Sequence, residues 1–199
     1  MPPETELEER AKRIVASAVE LAEQGGFEAV RLRDVASHAG VALGTLYRRF
    51  SSKEDLLLAA LELETRDLER RISQRAPRGT NGRERVASFF SVGTRGLCRR
   101  PNLARALLRA AAAGEPQIAK KVAAYHERME HLIVASLKGA AVNGVAVVSP
   151  GEREIASTLN LLWFALLLNW SSGVQTQAAV IDKMARFCEL LLDRPEAKH

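Results

Sequence analysis

Apolar positions recur at helical spacing almost throughout the chain, and the polar and glycine-rich breaks between them mark out about nine helices. After a lead-in of about eight residues that reads as disordered, Ile14, Val15, Ala18, Leu21 and Ala22 form the stripe of an amphipathic helix over 9–24, ended by Gly25-Gly26. Phe27 and Val30 are expected to plug a small core beside it. Two short helices follow. The first, 32–39, turns Val35 and Ala36 inward and Arg33, Asp34 and Ser37 outward; Gly40 supplies the left-handed residue that ends it sharply. The second, 43–50, places Leu46 and Phe50 four apart on one face. Ser51 and Glu54 have capping-box spacing and open a long helix to about Gln74, with Leu56, Leu57, Ala60, Leu61, Leu68 and Ile72 inward. Residues 75–82, with Pro77, Gly79 and Gly82, read as a linker.

Beyond the linker the same spacing predicts helices over 81–100, 101–114 and 116–137, then a loop at Gly139 and 143–148. Ser149-Pro-Gly-Glu152 is a second capping box, opening a helix to about Ser172, and a last helix over 176–193 stops before Pro195. The helix from 149 is apolar nearly all round, with Leu161, Leu162, Trp163, Phe164, Leu166, Leu167, Leu168 and Trp170, so several of its sides must be covered. A symmetric dimer that pairs the last two helices with their copies covers it; the alternative is that this helix is the centre of a monomeric core. The fold class is therefore all-α. A three-helix helix-turn-helix domain occupies about 8–68, with its motif at 31–50, and a larger helical domain, which would carry the dimer seam, occupies about 75–195.

Charge sharpens this picture. The net charge is +5, yet residues 1–60 carry eight Lys and Arg against ten Asp and Glu. The basic excess is local: Arg31, Arg33, Arg48, Arg49 and Lys53 against Asp34 alone. A helix that enters the major groove needs a slim face with donors at its rim. Gly44 allows close approach of the backbone, Thr45 and Tyr47 carry hydroxyls suited to phosphate, Arg48 reaches a base edge or a phosphate, and Lys53 follows where a cation can clamp the backbone.

This region resembles the TetR family of bacterial repressors through the run Val41-Ala-Leu-Gly-Thr-Leu-Tyr-Arg-Arg-Phe-Ser-Ser-Lys-Glu-Asp-Leu56. The resemblance is strong over about 10–69 and rests further on only on length and helical pattern. It implies a homodimer on a palindromic double-stranded DNA operator, with Arg31, Arg33, Leu43, Gly44, Thr45, Tyr47, Arg48 and Lys53 as the DNA-binding set. Arg31 stands where the family usually has a hydroxyl residue that caps the helix, and arginine caps poorly. The resemblance also implies a small-molecule effector pocket among the middle helices, for which Phe89, Phe90, Leu107, Met129, Ile133, Asn160, Trp163 and Leu167 are the candidate lining; Asn169 is a further polar position in the apolar run. Arg100-Pro-Asn-Leu and the tryptophans of Leu162-Trp-Phe-Ala-Leu-Leu-Leu-Asn-Trp170 are similar to family members that control steroid and lipid catabolism.

Six arginines and no acid lie between Arg85 and Gly114: Arg85, Arg95, Arg99, Arg100, Arg105 and Arg109. Arginine forks suit carboxylate and phosphate, so the stretch reads either as an anion site for an apolar effector with an anionic part, an acyl-CoA or a steroid acid, with Arg99 and Arg105 as anion contacts, or as a solvated basic face paired with acids elsewhere in the chain. No catalytic or metal centre and no cofactor are expected. His126 and His131 are five apart, which turns them about 140° from each other on a helix, unlike the four-residue zincin spacing. Cys98 and Cys188 form no metal or disulfide framework, the N-terminus lacks the apolar core of a secretory signal, and the longest apolar run is too short to span a bilayer, so a cytoplasmic protein with no membrane partner is expected. A helical small-molecule- or partner-binding protein without an operator is the alternative.

Overall fold

The computed structural model describes residues 4–140 and 148–193, with side chains from Leu7 onward. The described residues form nine α-helices and no strand. They are α1 (Glu4–Ala29), α2 (Leu32–His38), α3 (Leu43–Arg49), α4 (Lys53–Gln74), α5 (Gly82–Cys98), α6 (Pro101–Ala111), α7 (Ala119–Lys138), α8 (Pro150–Ser171) and α9 (Gln177–Leu192), with one 3₁₀ turn, Pro116–Ile118, leading into α7. The all-α expectation holds. Most of the loop expected at 143–148, and Pro195, lie outside the described residues.

Three local readings are corrected. The first helix starts at Glu4, not near Glu9, so most of the expected lead-in is helical. Gly25-Gly26 breaks that helix, since Gly26 has φ 67°, but a further turn runs on to Ala29. The cap of α4 lies one residue later than Ser51 and Glu54 imply. Ser52 Oγ accepts from the Asp55 N–H at 3.1 Å, and the Asp55 carboxylate accepts from the Ser51 N–H at 2.9 Å and from its hydroxyl at 3.2 Å. The Ser149–Glu152 box forms as expected.

The chain divides into two compact units. The first comprises the residues up to Glu64 together with Arg100–Val122, so α6 and the start of α7 belong with the N-terminal helices. Its core is built from Ile14, Val15, Ala18 and Ala22 of α1, Val35 and Ala36 of α2, Leu46 and Phe50 around α3, Leu56, Leu57 and Ala60 of α4, and Leu103 and Leu107 of α6. The main partner of α1 here is α6. The second unit comprises Thr65–Arg99 and the residues from Ala123 on. In it α9 packs on both α5 and α8.

Asp55 ties the first unit together, since its nearly buried carboxylate also pairs with Lys121. Burial pushes this carboxyl up, but Lys121 and the two Ser51 donors more than offset that and hold it below the ordinary aspartate value. A depressed pKa stabilises the fold above the unfolded value, near 3.9, and that stabilisation is lost as pH falls through the folded value. Asp55→Asn is therefore expected to melt below wild type at neutral pH, with the gap closing as pH falls from about 5 to about 2. A pH-independent gap in the melting temperatures would show that the carboxylate charge is not what matters.

Candidate nucleic-acid interface and effector chamber

The helix-turn-helix is assembled by burial on one side and exposure on the other. Val35, Ala36, Leu46 and Phe50 are buried, while Arg31, Arg33, Asp34, Gly44, Tyr47, Arg48 and Arg49 are exposed. Gly40, at φ 65°, makes the turn, and the Val41 N–H returns to the Ala36 carbonyl at 3.0 Å. This is the hydrogen-bonded end that a glycine in the left-handed region allows. Arg31 makes no side-chain bond to the start of α2, as its poor capping chemistry implies.

The outward face of α3 is partly ordered in advance. Arg48 Nη2 donates to Thr45 Oγ1 at 3.1 Å, so guanidinium and hydroxyl stand side by side. Tyr47 is 54% exposed, which leaves a large aromatic surface in solvent. A side-chain carbon added to Gly44 would meet nothing within 4 Å. Leu43 and Thr45 are half-buried at the edge of the face.

Lys53 is held elsewhere than its sequence position suggests. Its ammonium donates to the Phe27 carbonyl at 3.1 Å, lies 4.2 Å above the Phe27 ring and stands 3.8 Å from Glu28. Arg109 of α6 also stacks on that ring, at 4.0 Å, and pairs with Glu28 at 2.8 Å. Phe27 is thus a half-buried platform for two cations and not a plug of the core; each such contact is worth on the order of 0.5–1 kcal/mol near the surface. Nothing local in the sequence signals this, because the three residues come from different helices.

The arginine-rich stretch separates into distinct roles. Arg100 pairs with Glu23 and Glu64, and Arg109 with Glu28, so their acids come from outside the acid-free stretch. Arg85 closes the end of α7 by donating to the carbonyls of Ser136 at 3.0 Å and Leu137 at 2.8 Å. Arg95, Arg99 and Arg105 have exposed side chains.

Seven of the eight candidate pocket residues lie in the second unit, and they are buried: Phe89 and Phe90 from α5, Met129 and Ile133 from α7, Asn160, Trp163 and Leu167 from α8. Leu107 is buried in the first unit. Phe89 and Phe90 meet edge to face at 5.1 Å between centroids, and Trp163 tilts against them at 6.4 and 5.5 Å. Trp163 Nε1 donates to the buried Thr94 hydroxyl at 2.9 Å. Gly93 makes room for this indole, since a side-chain carbon there would sit 3.2 Å from it. Asn160 donates through Nδ2 to His126 Nδ1 at 2.9 Å. Burial holds the His126 pKa below its ordinary value, opposed by Glu130. Asn169 is exposed, and His131 is exposed on α7. No cluster of three or more metal-ligating side chains occurs among the described residues, and no helix among them is long and apolar enough to cross a membrane.

Both halves of the chain have known counterparts. Residues 14–60 match the family described as bacterial regulatory proteins, tetR family, and residues 79–191 match the tetracyclin repressor-like C-terminal domain. The HTH-type transcriptional repressor KstR of Rhodococcus jostii is 33% identical over 194 residues, covering 94% of this chain and 87% of the relative. The KstR repressor of Mycobacterium tuberculosis is 33% identical over 184 residues, covering 92% and 81%. A TetR transcriptional regulator from Rhodococcus sp. superposes with a TM-score of 0.80 at 25% identity, over 96% of this chain and 98% of that one. Thermus thermophilus FadR, solved in complex with lauroyl-CoA, shares the fold with a TM-score of 0.67 at 23% identity, over 95% and 98%. With a helix-turn-helix of this geometry followed by a matching C-terminal domain, the chain belongs to the TetR family of transcriptional regulators.

Proposed function

We propose that this protein is a dimeric transcriptional repressor that an apolar effector with an anionic part, acyl-CoA or steroid-like, releases from its operator. The observation that carries the reading is the outward face of α3: a bare Gly44, an exposed Tyr47 and an ordered Thr45–Arg48 pair, anchored from behind by buried Leu46 and Phe50. Within the DNA-binding set, Arg31 and Arg33 hold phosphates, Leu43 lies at the base edges, and Lys53 supports the start of α4. The reading domain spans about 8–68 and the effector and dimerisation domain about 75–195. Full-length relatives are named as repressors, and a fold neighbour was solved with an acyl-CoA, which supports the effector class.

Leu161 and Leu190 are each 57% exposed on α8 and α9, and this apolar surface supports dimerisation through the last two helices. A two-fold dimer would present its α3 copies about 34 Å apart or at a multiple of that distance, on a palindromic site. The effector acts by preferring the state that does not fit the operator, and releases DNA by no more than its differential affinity.

The test is fluorescence anisotropy of the full chain on DNA from immediately upstream of its own coding sequence, over a salt series and against scrambled competitor. Tight, competitor-resistant binding with a steep salt slope is expected. Thr45→Ala with Tyr47→Phe is expected to weaken it by roughly tenfold to a hundredfold, as loss of two specific contacts implies. Neutralising Arg99 and Arg105 should weaken an anionic effector and leave the operator affinity alone. If a genomic-library selection also yields no preferred sequence, the operator reading fails and a helical binding protein without an operator takes its place.

A further inference from the structure

The buried polar groups of the second unit are almost all spoken for. The Thr94 hydroxyl takes the Trp163 N–H, and the Ser136 hydroxyl donates to the Leu132 carbonyl. Asn160 is different. It is 0% exposed, and its Oδ1 is the buried side-chain nitrogen or oxygen among the described residues that has no hydrogen-bond partner. An acceptor buried without a donor is costly, and native interiors seldom keep one without a use.

Turning the amide over does not resolve the deficit. In the present orientation Nδ2 faces two acceptors, His126 Nδ1 at 2.9 Å and, at the limit of hydrogen bonding, the His126 carbonyl oxygen at 3.5 Å. An oxygen in that place would oppose the carbonyl oxygen, and the displaced NH₂ would inherit the empty position. With Nδ1 assigned as the unprotonated ring nitrogen of His126, the contact takes Nδ2 and leaves Oδ1, an acceptor. The His126 ring is itself held by Phe164, edge to face at 5.4 Å, so the pair is supported by apolar packing.

We propose that Asn160 Oδ1 is the recognition point for a hydroxyl group on an otherwise apolar effector, with His126 as the positioning residue that holds the amide. The proposal rests on the effector reading above and adds the ligand's polar feature. An apolar skeleton satisfies the aromatic and aliphatic side chains of α5, α7 and α8, and a single hydroxyl satisfies the one acceptor they leave. A site built around an acceptor discriminates against the analogue that lacks the donor, because that analogue leaves the acceptor buried and unpaired.

The test uses two matched pairs: lithocholic acid with cholanic acid, the same steroid acid without its ring hydroxyl, and ω-hydroxylauroyl-CoA with lauroyl-CoA. Binding to the full-length protein is measured by calorimetry, and operator release by anisotropy. In at least one pair the hydroxylated member is expected to bind about tenfold more tightly to the wild type, the usual scale of one buried neutral hydrogen bond. In Asn160→Leu that preference should fall to about one. Asn160→Ala repeats the measurement should leucine not fold. Equal binding of both members by the wild type, or a preference that survives in both variants, overturns the proposal and leaves the effector reading standing. Binding by no member of either pair overturns both.

Discussion

Gly44→Leu is expected to abolish specific operator binding while leaving the protein folded. A side-chain carbon at this position meets no atom within 4 Å, so the free protein can hold a larger residue without rearrangement. Leucine is also the better helix former, by roughly 0.5–1 kcal/mol, so the variant should melt at or slightly above the wild-type temperature. On DNA the outcome reverses. The same side chain stands between the α3 backbone and the duplex and holds the helix out of the groove, so the base contacts are lost together. Specific sites usually bind at least about a thousandfold more tightly than random DNA, and that whole margin is at stake. Anisotropy against operator and scrambled duplexes, with a thermal melt of the same sample, reads both halves. Operator binding at wild-type strength by Gly44→Leu would falsify the assignment of this face to DNA.

The second large effect is on stability. Trp163→Ala removes the indole that packs on Phe89 and Phe90 and leaves the Thr94 hydroxyl without its N–H donor. Deleting a buried tryptophan costs about 3–5 kcal/mol, a large part of the roughly 5–15 kcal/mol that holds an ordinary domain together. A melting temperature lower by about 6–20 °C is expected. Trp163→Phe keeps a ring and loses the hydrogen bond, so it should lose about 1–3 kcal/mol. Trp170 remains in both variants as a fluorescence reporter. Equal melting of the alanine variant and the wild type would mean that this indole is not part of the core.

The contrast between local and distant contacts explains what could be read from the sequence. The helix-turn-helix was legible because its signals lie within a few residues of one another: Val35 and Ala36 against Leu46 and Phe50, with Gly40 between. The helix boundaries followed from glycines, prolines and caps. The cap of α4 was misplaced by one residue because Ser51 and Ser52 both satisfy the spacing, and only the geometry shows that Asp55 closes it. The arginine-rich stretch left two readings open, an anion site or pairing with distant acids, because the acids that Arg100 and Arg109 meet lie on α1 and α4, tens of residues away. Lys53 reads in the sequence only as a cation placed to clamp the DNA backbone, since its partners Phe27 and Glu28 belong to α1, well before it in the chain. Asn160 stood out in its apolar run, but the missing partner on Oδ1 depends on where His126 lies.

The grouping of α6 with the N-terminal helices bears on how this architecture can be taken apart. A single cut after the fourth helix would free a segment that contains every residue proposed to face DNA, yet would strip α1 of its main packing partner and Glu23 and Glu28 of their arginines. Such a fragment would expose an apolar flank and invite aggregation. Recombination between relatives faces the same constraint. A transplanted DNA reader must bring a compatible α1–α6 seam from a distant part of the gene, so this protein is modular in function but not in the order of its chain.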